Sequence, residues 1–176
     1  MIQYFTLENV SYEVLFETNW KTMSDRLKKE VNLERFSEML REQGYDSGIS
    51  VGAFDTKTGE CVGLVLNSIL KDKEKTAYDI ITCTIPEYRR RGIARGMFEK
   101  VFALLKERGI ETYTTETKRD NLIAQSMYRS IGFEIKDEVV TTLKTLNGSR
   151  QVEQYEVVSG IRLAGERGER HGPFCR

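Results

Sequence analysis

Short apolar runs alternate with amphipathic stretches along the chain, and the period of the pattern changes at glycines and prolines. Ile2 to Leu7 reads as an extended start, followed by helical patterns up to about residue 45. The clearest of these sets Leu33, Phe36, Met39 and Leu40 on one face behind an Asn32 cap, with Gly44 as its stop. Ile49 to Phe54 and Cys61 to Leu66 are apolar, β-branched-rich runs on either side of Asp55-Thr56-Lys57-Thr58-Gly59-Glu60, the composition of an antiparallel hairpin. The mixed charges of Lys71 to Lys75 predict a solvated loop, and Tyr78 to Ile85 a strand that Pro86 ends. Ile93, Met97, Val101, Leu104 and Leu105 then recur with helical spacing as far as Gly109. Ile110 to Thr117 reads as a strand and Leu122 to Ile131 as a helix closed by Gly132. Val139 to Leu146 and Gln151 to Val158 read as strands joined through Asn147-Gly148. This succession predicts one α/β domain over residues 1 to 160, and a tail over 161 to 176 where periodicity is lost.

A chain of 176 residues with 39% hydrophobic and 31% charged side chains suits a single core. Its 27 basic and 27 acidic residues cancel, so no overall field draws it to nucleic acid or to a membrane surface. Any polyanion site must therefore be local. No run nears the roughly 20 apolar residues of a membrane span, and the start lacks a basic then apolar leader, which makes the cytoplasm the expected compartment. Cys61, Cys83 and Cys175 form no CxxC pair and read as reduced thiols. His171, alone of its kind and near the C-terminus, argues against histidine-dependent nucleophiles and histidine metal sites; no metal is expected.

The most informative segment is Ile85-Pro86-Glu87-Tyr88-Arg89-Arg90-Arg91-Gly92-Ile93-Ala94-Arg95-Gly96, between an apolar strand and an amphipathic helix. The first turn of a helix offers unpaired N–H groups and a partial positive charge, and small residues such as Gly92, Ala94 and Gly96 would let a pyrophosphate approach that backbone. Arginines alone would read as a solvated helix start or a small nucleic-acid patch. The glycine spacing and the strand-to-helix context favour phosphate. No Walker lysine motif or GxGxxG accompanies it.

Arg89-Arg90-Arg91-Gly92-Ile93-Ala94 resembles the Arg/Gln-x-x-Gly-x-Gly/Ala signature of the GNAT superfamily of N-acetyltransferases, and the residues from Asn121 through Tyr128 to Gly132-Phe133 are similar to that family's second motif. The resemblance implies a mostly antiparallel central sheet, splayed open in the middle and flanked by helices, with acetyl-CoA in the opening. It further implies that Cys83, Thr84 and Ile85 offer backbone groups to pantetheine and that the amides of Arg90, Arg91, Gly92, Ile93, Ala94 and Arg95 hold the pyrophosphate. Asn121 would contact the pantetheine arm or a nearby carbonyl.

Amide formation from a thioester needs a neutral amine, a stabilised oxyanion and a proton for the leaving thiolate. Tyr128 stands where the family carries a tyrosine that hydrogen-bonds the sulfur, which makes it the expected acid; its alternative is a core aromatic. Glu116 resembles, by its spacing to Asn121 and Tyr128, the base of ribosomal-protein N-terminal acetyltransferases, and its alternative is an exposed strand charge. Asp79 and Glu17 are further candidate bases, and Cys83 reads as packing because no histidine activates it. The oxyanion is expected to meet a backbone N–H of Cys83 to Ile85. The acceptor stays open between a small arylalkylamine or polyamine, suggested by the resemblance of the hairpin, and a protein amine, suggested by the Glu116 spacing. A non-catalytic module sensing acyl-CoA is the rival reading, and monomer or homodimer both remain open.

Overall fold

In the computed structural model, residues 1–71, 75–144 and 150–162 are described, with side chains described as far as Glu134. The Asn147-Gly148 turn and the tail beyond residue 162 lie outside them. Seven strands and five helices follow in the order β1 (Ile2–Thr6), α1 (Tyr12–Trp20), α2 (Asp25–Lys28), α3 (Leu33–Glu42), β2 (Val51–Asp55), β3 (Cys61–Ile69), β4 (Thr76–Thr84), α4 (Ile93–Glu107), β5 (Thr112–Lys118), α5 (Leu122–Ser130), β6 (Glu134–Lys144) and β7 (Arg150–Arg162). β7 therefore runs two residues past the predicted domain limit, into the segment expected to be tail.

The strands form one sheet in the order β1-β2-β3-β4-β5-β7-β6. All neighbours are antiparallel except β4 and β5. That exception follows from the connection, since α4 carries the chain back across the sheet between them, as a crossover helix must. Two cores cover the two faces. Ile93, Met97, Phe98, Val101 and Leu105 of α4 pack with Val62, Tyr113, Tyr128 and Phe133 on one side. Leu15 of α1 and Phe36 and Leu40 of α3 pack with Leu64 and Leu66 on the other. The Asn32 cap of α3 is present, its side chain accepting from the Arg35 N–H at 2.9 Å.

The parallel ladder between β4 and β5 is short. It runs from Thr76 opposite Thr112 to Asp79 opposite Thr115 and stops, although β4 continues to Thr84 and β5 to Lys118. A bulge explains the divergence. On the other edge of β4, Leu66 pairs with Ile81 but Asn67 with Asp79, which leaves Ile80 as the extra residue and bends the strand there. Beyond the bulge β4 follows β3 alone, and a gap opens between it and β5.

Candidate active site

Alternation along an antiparallel ladder decides which backbone groups of β4 face that gap. The Ile85 N–H donates to the Val62 carbonyl at 3.0 Å, and Gly63 lies opposite Thr84. Ile85 and Cys83 accordingly spend their N–H groups on β3, whereas those of Thr84 and Thr82 point away from it into the gap. The Ile85 carbonyl also accepts from the Tyr88 N–H at 3.0 Å, and its side chain is buried. Ile85 thus spends both its main-chain groups on the scaffold, and Cys83 directs its main chain toward β3 and away from the gap. Thr84, named from the sequence, and Thr82, which the sequence reading does not single out, are the β4 residues whose N–H groups face the gap. The only signal for Thr82 was the two-residue period from Thr84.

The Cys83 thiol is half-buried on the α1 side, and burial first, then the neighbouring Cys61, pushes it up to about 12. Such a thiol stays protonated at neutral pH and is no nucleophile.

Above the gap, Pro86–Tyr88 makes a single 3-10 turn that leads into α4. Arg90 has φ 60° and Gly92 φ 75°, so two of three consecutive residues are left-handed at the entry of the helix. The conformation suits glycine and strains arginine. A Cβ on Gly92 would meet nothing within 4 Å, so the approach to the first-turn amides of Ile93, Ala94 and Arg95 is open. The neighbouring arginines build the turn: the Arg89 Nε donates to the Thr84 carbonyl at 3.0 Å, Arg91 donates to the Glu87 carbonyl at 2.7 Å while lying 5.0 Å above the Tyr88 ring, and Arg95 donates to the Ser130 carbonyl at 3.1 Å. Gly96 has another role than the one expected. A Cβ there would fall 2.3 Å from the Tyr4 ring and hydroxyl, so this glycine admits the Tyr4 side chain of β1 instead of a phosphate.

Asn121 is the N-cap of α5, its side-chain oxygen accepting from the Ala124 N–H at 3.1 Å; the cap leaves its amide nitrogen for another partner. On the same helix Tyr128 is 5% exposed, edge-on to Phe98 and Phe133. Its hydroxyl donates to Asp79 Oδ2 at 2.9 Å, and the Thr82 hydroxyl donates to the same oxygen at 2.7 Å. Asp79 is 2% exposed and stands at the last rung of the parallel ladder, where the gap begins. Burial pushes its carboxyl up to about 6 against the opposing pull of the Thr82 and Tyr128 hydrogen bonds. Burial, and next the Asp79 charge, hold the Tyr128 phenol well above its ordinary range.

Glu116 and Tyr128 are not brought together. Tyr113, Thr115 and Thr117 turn inward from β5, Tyr113 with the α4 and α5 core, so the exposed Glu116 belongs to the opposite face. There Tyr78 of β4 feels it: burial first and the Glu116 charge second push the Tyr78 phenol up to about 12. Glu17 is exposed on α1, near Lys21, which pairs with Glu60 at 2.5 Å. Among the described residues no cluster of histidine, cysteine and carboxylate could hold a metal ion, and no helix is long and apolar enough to cross a membrane.

Comparison with known proteins places this architecture. Residues 12–133 match the acetyltransferase (GNAT) family. The ribosomal protein bS18-alanine N-acetyltransferase of Escherichia coli strain K12 is 30% identical over 78 residues, 44% of this chain and 51% of that protein. The chain thus matches about half the length of this curated relative. The crystal structure of the ribosomal-protein-S18-alanine N-acetyltransferase from Escherichia coli superposes with a TM-score of 0.70 at 19% identity, covering 96% of this chain and 99% of that one. That of the paia N-acetyltransferase from Thermoplasma acidophilum in complex with coenzyme A gives a TM-score of 0.63 at 18% identity, covering 89% and 98%. A splayed mixed sheet, an open left-handed turn before α4 and a family match across both mean that the chain belongs to the GNAT family of acetyltransferases.

Proposed function

We propose that the protein transfers an acetyl group from acetyl-CoA directly to a primary amine, both substrates being bound at once in the gap between β4 and β5. The observation that carries this reading is the end of the parallel ladder at Asp79 and Thr115, directly below the open turn at Arg90 to Gly92. A pyrophosphate suits the amides at the start of α4, where free N–H groups and the helix dipole favour an anion. The pantetheine arm then runs down β4 against Thr84 and Thr82, and Asn121 offers its amide nitrogen from the far side. The N–H groups of Thr82 and Thr84 suit the oxyanion, since they project into the gap with no strand to receive them. An alkylammonium must lose a proton before it attacks. Glu116, exposed beside Tyr78 on the face opposite Tyr128, is the group that takes it, so that the amine enters from the α1 side and acetyl-CoA from the α4 side. Tyr128 supplies the proton to the departing sulfur. The acceptor is a small arylalkylamine or polyamine, or a peptide amine; the relative that acetylates an alanine of a ribosomal protein supports the last.

Acetyl-CoA is expected to raise the melting temperature, because a ligand bound by the native state alone adds about 2.7 kcal/mol at a hundredfold excess over its dissociation constant. A thermal melt at millimolar acetyl-CoA checks this, and an unmoved transition excludes the site. Release of CoA thiol with tyramine, spermidine or a peptide beginning with alanine then separates an enzyme from a module that only senses acyl-CoA: the sensor binds and releases none.

A further inference from the structure

The direction of one hydrogen bond changes how the proposed acid must work. Tyr128 donates its proton to Asp79, so that hydrogen is engaged and not free for a departing sulfur. We infer that Asp79 is the positioning residue of the site, a buried carboxylate that takes the Tyr128 proton while the substrate amine is being deprotonated and returns it when the thiolate leaves. The inference rests on the acetyl transfer proposed above, and it balances. After the neutral amine attacks, its nitrogen carries a positive charge; an N–H proton passes to the Tyr128 oxygen as the tyrosine's own proton passes to Asp79. The C–S bond then breaks, the thiolate takes the proton from Tyr128, and Asp79 restores it. Nothing is left over except the amide, the CoA thiol and the proton that the alkylammonium lost to Glu116 before attack.

Three observations support a store at this place. Asp79 Oδ2 accepts from both Tyr128 and Thr82, which fixes the carboxylate against the phenol. Asp79 Oδ1 is buried without a hydrogen-bond partner, an arrangement that costs free energy while the group is charged and less once it holds a proton. Asp79 also sits where β4 leaves β5, so the couple borders the gap instead of lying deep in either core. The raised carboxyl, at about 6, suits a group that must accept a proton and give it back near neutral pH. The ionisable groups that feel its charge are Tyr128 from α5 and Tyr113 from β5 on its own face, and Tyr78 and Cys83 of its own strand on the other. All are pushed upward and neutral between pH 5 and 8; Glu116 acts on Tyr78 from the other face, while Thr115, Asn67 and Phe98 carry no charge. The charge that changes at this spot in that range is that of Asp79.

The test is a single-turnover rate of acetyl transfer against pH, with whichever of tyramine, spermidine or the alanine peptide wild type acetylates. Wild type is expected to show an acid limb as Asp79 ionises. Asp79→Asn keeps the shape but cannot take a proton, so its rate at pH 7.5 should fall about tenfold or more and the part of the limb near pH 6 should vanish, leaving that of amine deprotonation, while the acetyl-CoA dissociation constant stays within about twofold. Thr82→Val removes a donor that favours the charged carboxylate and should move the limb to higher pH. An Asp79→Asn protein with the wild-type rate and limb overturns the inference. If that variant does not fold, a limb unmoved in Thr82→Val overturns it. Wild type that acetylates none of the three amines instead overturns the function on which the inference rests.

Discussion

Gly92→Glu is expected to give a folded protein that has lost acetyl-CoA binding. Gly92 has φ 75° and opens α4, with nothing within 4 Å of the position where a Cβ would stand. A side chain there meets no protein atom, so the fold loses only the strain of a left-handed residue, on the order of 1 kcal/mol. The proposed ligand loses far more. A carboxylate would occupy the mouth through which a pyrophosphate reaches the first-turn amides, and it would compete for the same N–H groups with the same sign of charge. Gly92→Asn separates the two effects, because asparagine tolerates the left-handed conformation and brings no charge. Calorimetric titration with acetyl-CoA should show no binding for the glutamate variant and a smaller loss for the asparagine variant. Wild-type affinity in a folded Gly92→Glu protein would falsify the placement of the phosphates.

The second large effect is expected at Tyr128. Tyr128→Phe keeps the ring against Phe98 and Phe133 and removes only the hydroxyl, so single-turnover acetyl transfer should fall on the order of a hundredfold while acetyl-CoA affinity changes little. Stability should respond as well, because the hydroxyl also supports the buried Asp79. Asp79 has a folded-state value raised to about 6 from 3.8, so stability present at low pH is lost as the pH rises through that range. The Tyr128 hydrogen bond softens this loss by favouring the charged form. Tyr128→Phe should therefore be less stable than wild type above pH 6, and the difference should shrink toward pH 4. Denaturant melts at the two ends check this separately from the rate. A variant with wild-type single-turnover chemistry would make Tyr128 a core aromatic only.

Much of the frame was legible because glycine and proline punctuate it. Pro86 closes β4, Gly109 ends α4, and the Asp55 to Glu60 loop marks the hairpin, so β2, β3, β4, α4, β5 and α5 fall within about three residues of where their patterns predict. The segment before residue 45 was harder, because α1 buries Thr18 and Asn19 along with Leu15 and its apolar stripe is faint. The site was legible only where one motif contains it. The turn before α4 is such a case, since its left-handed glycine and free amides are local properties. Register is not local. Ile80 and Ile81 look like two more apolar strand residues, and the bulge that turns Thr82 toward the gap exists only in the pairing with β3. The same holds for Asp79 and Tyr128, which lie 49 positions apart, and for Gly96, whose partner Tyr4 comes from the first strand. Reading such pairs requires the fold.

The short β4–β5 ladder also bears on what acetyl-CoA would do to the backbone on either side of it. Four residue pairs, Thr76–Asp79 with Thr112–Thr115, join the β1-to-β4 half of the sheet to the half made of β5, β7 and β6, and beyond them Thr82 and Thr84 have no strand on that side. Few main-chain hydrogen bonds cross this seam, and the α4 core that packs on both Val62 and Tyr113 does the rest of the joining. An acetyl-CoA laid between the strands would touch both halves and close the seam from inside. Substrate binding then stiffens the backbone along β4 and β5 more than elsewhere, and amide exchange slowed there, with the α1–α3 region unchanged, is the dynamic footprint expected of it.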